Sequence, residues 1–128
     1  PDMASCFIML DKANKENGCL KVLKGSHRVG RISHERSDTP EQTADYERIR
    51  ELEKRHESVY IEAEPGDALF FHANLLHSSD ANKSQNSRRT LIVCFNTKSN
   101  NPYKEIGHAS YNQLKVANHN SIMEYKID

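Results

Sequence analysis

The amino-acid sequence predicts a mainly β fold that carries one inserted helix, and three features of the chain support this prediction. Short apolar runs of strand length recur at residues 4–10, 19–23, 59–63, 68–71 and 88–96. A proline–glycine turn at Pro65 and Gly66 separates two of these runs. One charged segment, residues 40–56, has the start signal of a helix.

The first two apolar runs are expected to form an antiparallel pair. Residues 4–10 are continuously apolar, which is typical of a strand covered on both faces, whereas residues 19–23 alternate between two faces. The polar residues 11–18 between them predict a turn. Residues 59–63 also alternate, so they predict a half-exposed strand that leads to the turn at Pro65.

Two further apolar runs enclose a polar segment in the middle of the chain. Pro65 sets φ for the second position of a turn, and Gly66 supplies the positive φ that the third position of a type II turn requires. Residues 68–71 and 88–96 predict strands because they are rich in aromatic and β-branched side chains. Between these strands lie polar side chains of the kinds that bind ligands: His72, Asn74, His77, Ser78, Ser79, Asp80 and Asn82.

The charged segment predicts a helix from residue 40 to about residue 56. Thr39 is a suitable cap, Pro40 occupies the first helical position, and Gln42 lies three residues after the cap. The apolar stripe of this helix is thin and consists of Tyr46, Ile49 and Leu52. The helix is expected to pack on the outside of the sheets or over the mouth of a site, and the pattern does not separate these alternatives.

Length and composition limit the classes of protein. A chain of 128 residues forms one domain at most, and its hydrophobic share of 36% is low for a self-contained domain, which fits a partial sheet structure. Lysine plus arginine equals aspartate plus glutamate at 18 each, so no net charge attracts nucleic acid or an anionic membrane. No segment has the length and hydrophobicity of a transmembrane helix.

The three cysteines, Cys6, Cys19 and Cys94, lie in apolar runs at irregular spacing. This pattern predicts buried, reduced core residues and not disulfides or a zinc site, and therefore a cytoplasmic location. Residues 97–128 are polar with scattered apolar side chains, so they predict a tail that wraps around the domain or a partner surface.

Residues 64–96, EPGDALFFHANLLHSSDANKSQNSRRTLIVCFN, resemble the C-terminal half of the phytanoyl-CoA dioxygenase family. Upstream, NGC at residues 17–19 and GSH at residues 25–27 resemble that family's asparagine-glycine-cysteine strand and its following loop. Members of the family are iron(II)- and 2-oxoglutarate-dependent oxygenases built on a double-stranded β-helix, a jelly-roll or cupin-like barrel. The resemblance covers about residues 4–96 and implies a partial barrel with one inserted helix.

The resemblance implies roles for individual residues. His77 is implied to be the second histidine of a 2-His-1-carboxylate iron(II) site, and Ser79 to touch the cosubstrate. Arg88, eleven positions after His77, is implied to pair with the far carboxylate of 2-oxoglutarate. An arginine suits this role because its planar fork donates two parallel hydrogen bonds to a carboxylate.

Strand periodicity alone does not choose between Arg88 and Arg89, because both faces of the following run are apolar. The resemblance favours Arg88, and Thr90 on the same face is a candidate to donate a hydroxyl to the same carboxylate. Arg89 is left for an outer salt bridge of small value. His72 has no role implied by the resemblance and predicts a hydrogen-bonded structural residue.

The implied cofactors are Fe(II), 2-oxoglutarate as cosubstrate and dioxygen, and the implied reaction hydroxylates a small-molecule substrate while 2-oxoglutarate is converted to succinate. Ser26 and His27 are candidates to contact that substrate from their loop. A glycine–serine turn accounts for Ser26 equally well.

The family's other iron ligands form a His-x-Asp motif upstream of the asparagine-glycine-cysteine strand, and this sequence contains no His-x-Asp or His-x-Glu. We therefore expect residues 1–128 to be the C-terminal part of one oxygenase domain that needs the remainder of the domain and is inactive alone. Two alternatives are open: a related binding module that has lost iron, and a cupin-like metal protein that uses His72, His77 and another histidine. A His-x-Asp or His-x-Glu upstream of Pro1 would favour the oxygenase over the module.

Overall fold

The structure of the chain is a computed structural model that describes residues 2–32, 34–35, 43–100 and 112–124. This part of the chain contains eight strands, two α-helices and one short 3-10 helix. The strands are β1 (Met3–Met9), β2 (Leu20–Leu23), β3 (His34–Glu35), β4 (Thr43–Ala44), β5 (Ser58–Tyr60), β6 (Ala68–His72), β7 (His77–Ser79) and β8 (Thr90–Asn96). The helices are α1 (Tyr46–Glu53), α2 (Ser121–Glu124) and the 3-10 helix Ser26–Val29.

Two three-stranded antiparallel sheets form the body of the fold. One sheet has the strand order β6-β1-β8 and the other has the order β5-β2-β7, while β3 and β4 form a separate pair. The two sheets pack against each other, since Leu20 and Val22 of β2 share a buried cluster with Phe71 of β6. The mainly β prediction is confirmed, and within the described ranges the sheets do not close into a barrel.

The first two predicted strands do not pair with each other, so that prediction is wrong. β1 lies between β6 and β8, whereas β2 lies between β5 and β7 in the opposite sheet. The connection directs the chain across the core, because the buried Asn17 donates from Nδ2 to the Lys12 carbonyl and Ala13 forms an isolated bridge with Ala63. Strands that are consecutive in sequence are neighbours in only about two thirds of cases.

The core lies between the two sheets. One buried cluster consists of Met9, Ala13 and Cys19, the other of Leu20, Val22 and Phe71, and Phe7 packs against both. Burial of a side chain such as Phe71 stabilises the fold by about 1.5–3 kcal/mol relative to exposure. Because both sheets contribute to these clusters, the clusters determine which face of each strand points inward.

The predicted turn before β6 is confirmed. Gly66 has a φ of 94°, and the Asp67 N–H donates to the Glu64 carbonyl at 3.1 Å, as a type II turn requires. The Asp67 side chain accepts in return from the Glu64 N–H at 2.8 Å. The turn therefore starts β6 at a fixed residue and fixes its pairing with β1.

The helix begins later than the sequence predicts. Thr39, Pro40 and Gln42 lie outside the described residues, but residues 43 and 44 belong to β4, so a continuous helix from residue 40 is wrong. Asp45 is the cap, since its Oδ1 accepts from the Glu47 and Arg48 N–H groups at 3.1 and 3.2 Å. The helix ends at Glu53, close to the predicted end, and none of its residues is buried.

The prediction of buried cysteines holds for Cys6 and Cys19 but is wrong for Cys94, which is exposed. Cys94 lies on β8, an edge strand of its sheet, so within the described residues one side of it is not covered. All three cysteines are free.

In the described part of the chain, no helix has the length and hydrophobicity needed to cross a membrane. The predicted wrapping of the tail stays a prediction.

Candidate functional site

His77 points into the space between the two sheets. It pairs with Val22 across β7 and β2, and opposing residues of an antiparallel pair share one face of the sheet. Val22 belongs to the core between the sheets, so this face is the inner one. The ring of His77 lies 5.1 Å from that of Phe71 and 6.3 Å from that of Phe7, each in an edge-on arrangement.

The orientation of the His77 ring leaves one nitrogen available. Nδ1 lies 2.8 Å from the Leu75 carbonyl oxygen, and because a carbonyl only accepts, Nδ1 carries the proton and donates. The neutral ring then presents a lone pair at Nε2, which has no hydrogen-bond partner among the described residues. A metal-binding histidine has this arrangement, with one nitrogen on the metal and the other donating to a carbonyl or carboxylate.

His72 has the opposite arrangement. Its Nδ1 accepts a 3.0 Å hydrogen bond from the Asn74 N–H, so the lone pair of Nδ1 is used and the proton of the neutral ring is on Nε2. Neither nitrogen of His72 is free to bind a metal while this bond exists. The structure therefore agrees with a hydrogen-bonded structural role for His72.

Ser79 and Thr90 lie on the inner faces of the two sheets, Ser79 on the sheet of His77 and Thr90 on the opposite sheet. Ser79 pairs with Leu20 on β2, and Thr90 pairs with Met9 on β1, and both partners belong to the buried clusters. Thr90 is half-buried and Ser79 is exposed. The inner face of each sheet thus contributes one hydroxyl.

Arg88 lies two residues before Thr90 and is half-buried. Its Nε donates to the Asn17 carbonyl at 3.2 Å, which anchors the guanidinium at the turn before β2. Among the described residues, no hydrogen bond joins His77, Ser79, Arg88 and Thr90 to one another. Their side chains are therefore available to a ligand.

The NGC motif at residues 17–19 has a structural explanation. The Asn17 side chain bonds to the Asn14 N–H and the Lys12 carbonyl, and Cys19 is completely buried. Gly18 has a φ of 76°, and a Cβ there would lie 2.3 Å from the Asp80 carbonyl oxygen. Only glycine allows this close approach, which holds the end of β7 against the turn beside Arg88.

Ser26 and His27 differ in what they can reach. Ser26 is completely buried, and its Oγ accepts from the Leu76 N–H at 2.9 Å, so direct contact with a substrate does not fit its position. His27 is half-buried with its ring 5.9 Å from that of His72. No sequence motif indicated the Leu75 carbonyl, and Asn17 was noted as part of the NGC motif without a role at the site.

Arg89 forms the outer salt bridge that the sequence predicts. Its Nε and Nη2 donate to the two carboxylate oxygens of Asp11 at 2.9 and 2.8 Å, and its backbone N–H donates to the same side chain at 2.7 Å. These hydrogen bonds lower the pKa of Asp11 from 3.8 to about 2. Arg89 is thereby occupied, whereas the terminal amino groups of Arg88 are not.

No group of three histidine, cysteine, aspartate or glutamate side chains suited to a metal occurs among the described residues. A shallow cavity of about 300 Å³ lies at the turn formed by Leu10, Asp11, Asn14 and Asn17, and its lining does not include His77. The imidazole of His77 therefore fits one position of a metal site and does not form a complete site with its described neighbours.

Comparison with solved structures identifies the fold class of the chain. A solved structure of EctD from S. alaskensis with 2-oxoglutarate and 5-hydroxyectoine aligns with a TM-score of 0.59 and 27% identity, covering 72% of this chain and 30% of that chain. Another EctD structure with bound Fe also has a TM-score of 0.59, at 29% identity. The predicted double-stranded β-helix class is confirmed by this similarity.

The family follows from the sequence comparison. A family model described as Phytanoyl-CoA dioxygenase (PhyH) matches residues 1–90, so the chain belongs to the phytanoyl-CoA dioxygenase family. A probable phytanoyl-CoA dioxygenase of Caenorhabditis elegans is 31% identical over 93 residues, 70% of this chain and 30% of that protein. A 2-aminoethylphosphonate dioxygenase of an uncultured bacterium is 33% identical over 90 residues, 70% of this chain and 31% of that protein. The chain thus spans less than one third of these relatives.

Proposed function

We propose that this chain supplies one imidazole of the iron(II) site and the 2-oxoglutarate-binding arginine of a dioxygenase that hydroxylates a small molecule. The observation that supports this most directly is the His77 ring, whose Nδ1 lies 2.8 Å from the Leu75 carbonyl oxygen while Nε2 has no hydrogen-bond partner among the described residues. Iron(II) is the proposed metal because the chain belongs to the phytanoyl-CoA dioxygenase family and resembles a structure with bound Fe.

In this proposal Arg88 binds the far carboxylate of 2-oxoglutarate. Its Nε bond to the Asn17 carbonyl leaves the two terminal amino groups for a two-point contact with a carboxylate. The hydroxyls of Ser79 and Thr90 donate to the same cosubstrate, since both lie on the inner faces of their sheets. His27, in the 3-10 helix Ser26–Val29, is the proposed substrate contact.

Bound iron(II) supplies the activation of dioxygen that hydroxylation of a C–H bond requires. The residues of this chain hold and orient the ligand, and the rings of Phe7 and Phe71 pack edge-on against His77, which is exposed in the described structure. The other histidine and the carboxylate are proposed to come from another part of the polypeptide. Residues 1–128 are accordingly proposed to be the C-terminal part of one oxygenase domain, with residues 97–128 as its tail.

The substrate is proposed only as a small molecule. The names of the relatives refer to phytanoyl-CoA and to 2-aminoethylphosphonate, which are chemically unlike each other. Both proteins are dioxygenases, so the reaction type is shared while the substrate differs. Three free cysteines fit a reducing compartment, and we propose the cytoplasm on that basis.

The test compares the full-length protein with residues 1–128 alone. Each is supplied with iron(II), ascorbate and 2-oxoglutarate, and release of succinate is measured. The full-length protein is expected to release succinate and the isolated chain is not. Appreciable release by the isolated chain would show that its own histidines complete an iron site. Absence of both iron binding and succinate release in the full-length protein would favour the binding module that has lost iron.

A further inference from the structure

We infer that Ser26 is a positioning residue for His77 and acts through a single peptide group that connects the two side chains. The inference rests on the proposed function, because it gives Ser26 a role in the iron site. The Oγ of Ser26 accepts from the Leu76 N–H at 2.9 Å. The Leu75 carbonyl accepts from Nδ1 of His77 at 2.8 Å.

The Leu75 carbonyl and the Leu76 N–H belong to the same peptide group. A peptide group is planar, so a hydrogen bond that fixes the direction of its N–H also fixes the direction of its carbonyl. Ser26 therefore sets the rotation of the plane to which the His77 ring is bonded. Hydrogen bonds in such a chain polarise one another, which makes Nε2 of His77 a better donor to a metal.

The neighbouring peptide groups are held by other bonds. The Leu75 N–H donates to the His72 carbonyl, and the Leu76 carbonyl accepts from the Leu23 N–H, both at 2.9 Å. These bonds fix the peptide groups before and after the one that faces His77. Within the described ranges, the N–H of the central group has Ser26 as its partner, and no other bond substitutes for it.

The local sequence places the hydroxyl at this point. Gly25 has a φ of 81° at the end of β2, and the chain turns there into the 3-10 helix Ser26–Val29. Ser26 is completely buried there, so its hydrogen bond to the half-buried Leu76 is partly shielded from water. A hydrogen bond in such an environment holds its partner more firmly than an exposed one.

The first test uses the iron-free full-length protein and nitrogen NMR of the His77 ring. The wild-type ring is expected to show the tautomer protonated at Nδ1. Ser26→Ala removes the hydroxyl that accepts from the Leu76 N–H, so a mixture of His77 tautomers is expected. Ser26→Thr keeps a hydroxyl and is expected to show the wild-type spectrum. A purely structural role for Ser26 would leave the tautomer unchanged in all variants.

The second test measures iron(II) affinity by anaerobic equilibrium dialysis. Removal of the direct hydrogen-bond partner of a metal ligand typically weakens metal binding about 10- to 100-fold. Ser26→Ala leaves that partner, the Leu75 carbonyl, in place but releases its peptide plane, so a loss within this range is expected. Ser26→Cys is nearly isosteric but accepts weakly, so it provides the measurement if the alanine variant does not fold, with a loss of about tenfold expected. Wild-type affinity in the folded variants would overturn the inference.

A matched control separates positioning from general destabilisation. Cys6 is also buried, but it lies on β1, and no hydrogen bond links it to His77 among the described residues. Cys6→Ala is expected to lower the melting temperature while iron affinity stays at the wild-type value. His77→Ala is measured in parallel. Retention of iron by His77→Ala would overturn the proposed function. Loss of iron binding in His77→Ala, together with wild-type iron affinity in the Ser26 variants, would overturn only the present inference.

Discussion

His77 and Val22 occupy opposing positions on β7 and β2, so a buried aliphatic side chain determines the direction of the candidate iron ligand. The same pairing places Ser78 opposite Lys21, on the outer face. A slip of one residue in this register would turn Ser78 inward and His77 outward. The chemistry proposed for the site therefore depends on the packing of β2 as directly as on the histidine itself.

The two histidines of the central segment are expected to differ in iron binding. In the full-length protein, His77→Ala should abolish stoichiometric iron(II) binding, because it removes a ligand from a three-ligand site. His72→Ala should largely retain it, because the Nδ1 of His72 is already bonded to the Asn74 N–H. Iron content after anaerobic dialysis checks both variants, with circular dichroism as the control for folding. Equal losses in two folded variants would contradict the assignment of His77 as the ligand from this segment.

The two arginines are expected to differ in cosubstrate binding. Arg88→Ala should raise the apparent KM for 2-oxoglutarate strongly while iron binding stays nearly intact. Loss of one partner of a partly buried ion pair costs about 2–5 kcal/mol, roughly thirtyfold or more in affinity. Arg89→Ala is the matched control. The guanidinium of Arg89 is engaged by Asp11, so its removal is expected to leave the KM for 2-oxoglutarate unchanged. The reverse ranking would mean that β8 is shifted by one residue relative to β1.

Some of the fold was predictable because single residues restrict the backbone directly. Pro65 and Gly66 specify a type II turn by their own φ preferences, and the structure has that turn. The partner of β1 was not predictable, because the buried side chain of Asn17 redirects the chain through bonds that no apolar pattern records. β7 was also missed as a strand, since residues 77–79 are polar and pair only because β2 is present.

The same distinction applies to the candidate site. His77, Ser79 and Arg88 were proposed from the resemblance to the family, and the structure adds their orientation and hydrogen bonds. The position of Ser26 was not deducible, because the N–H that its hydroxyl accepts is 50 residues away in sequence. Contacts of this kind depend on how the two sheets and their loops pack, and a single sequence does not encode them in a local pattern.

The salt bridge between Asp11 and Arg89 predicts a specific pH dependence of stability. The folded-state pKa of Asp11 is lowered to about 2 from 3.8, so the carboxylate stabilises the fold above about pH 4. This contribution is lost as the pH falls from about 4 towards 2. Urea midpoints of the wild type and Asp11→Asn should therefore differ at neutral pH and converge in this window. Arg89→Ala removes the other partner of the pair, and its urea midpoint should approach that of the wild type over the same pH range. A difference in urea midpoint that stays constant at all pH values would contradict the assignment of this pH dependence to the Asp11–Arg89 salt bridge.

The final prediction concerns the close approach of Gly18 to Asp80. Gly18→Ala puts a residue with a side chain in a left-handed backbone conformation, which costs about 1–2 kcal/mol. The new methyl group would also lie 2.3 Å from the Asp80 carbonyl oxygen, so the backbone must move to relieve the clash. A total loss of roughly 3 kcal/mol or more is expected in urea unfolding of the full-length protein. Movement of Asp80 shifts its neighbour Ser79, so the KM for 2-oxoglutarate should rise as well.

Gly66→Ala isolates the two causes. Gly66 has a φ of 94°, and a Cβ there would meet nothing within 4 Å, so only the conformational cost of about 1–2 kcal/mol applies. This variant is expected to lower stability without changing the KM for 2-oxoglutarate, since its turn precedes β6 and touches none of the candidate site residues. Equal destabilisation by the two substitutions would show that the Asp80 backbone yields without cost. An unchanged KM for 2-oxoglutarate in Gly18→Ala would indicate that Ser79, at the end of β7, does not contact the cosubstrate. Arg88 and Thr90 would then be the remaining proposed contacts.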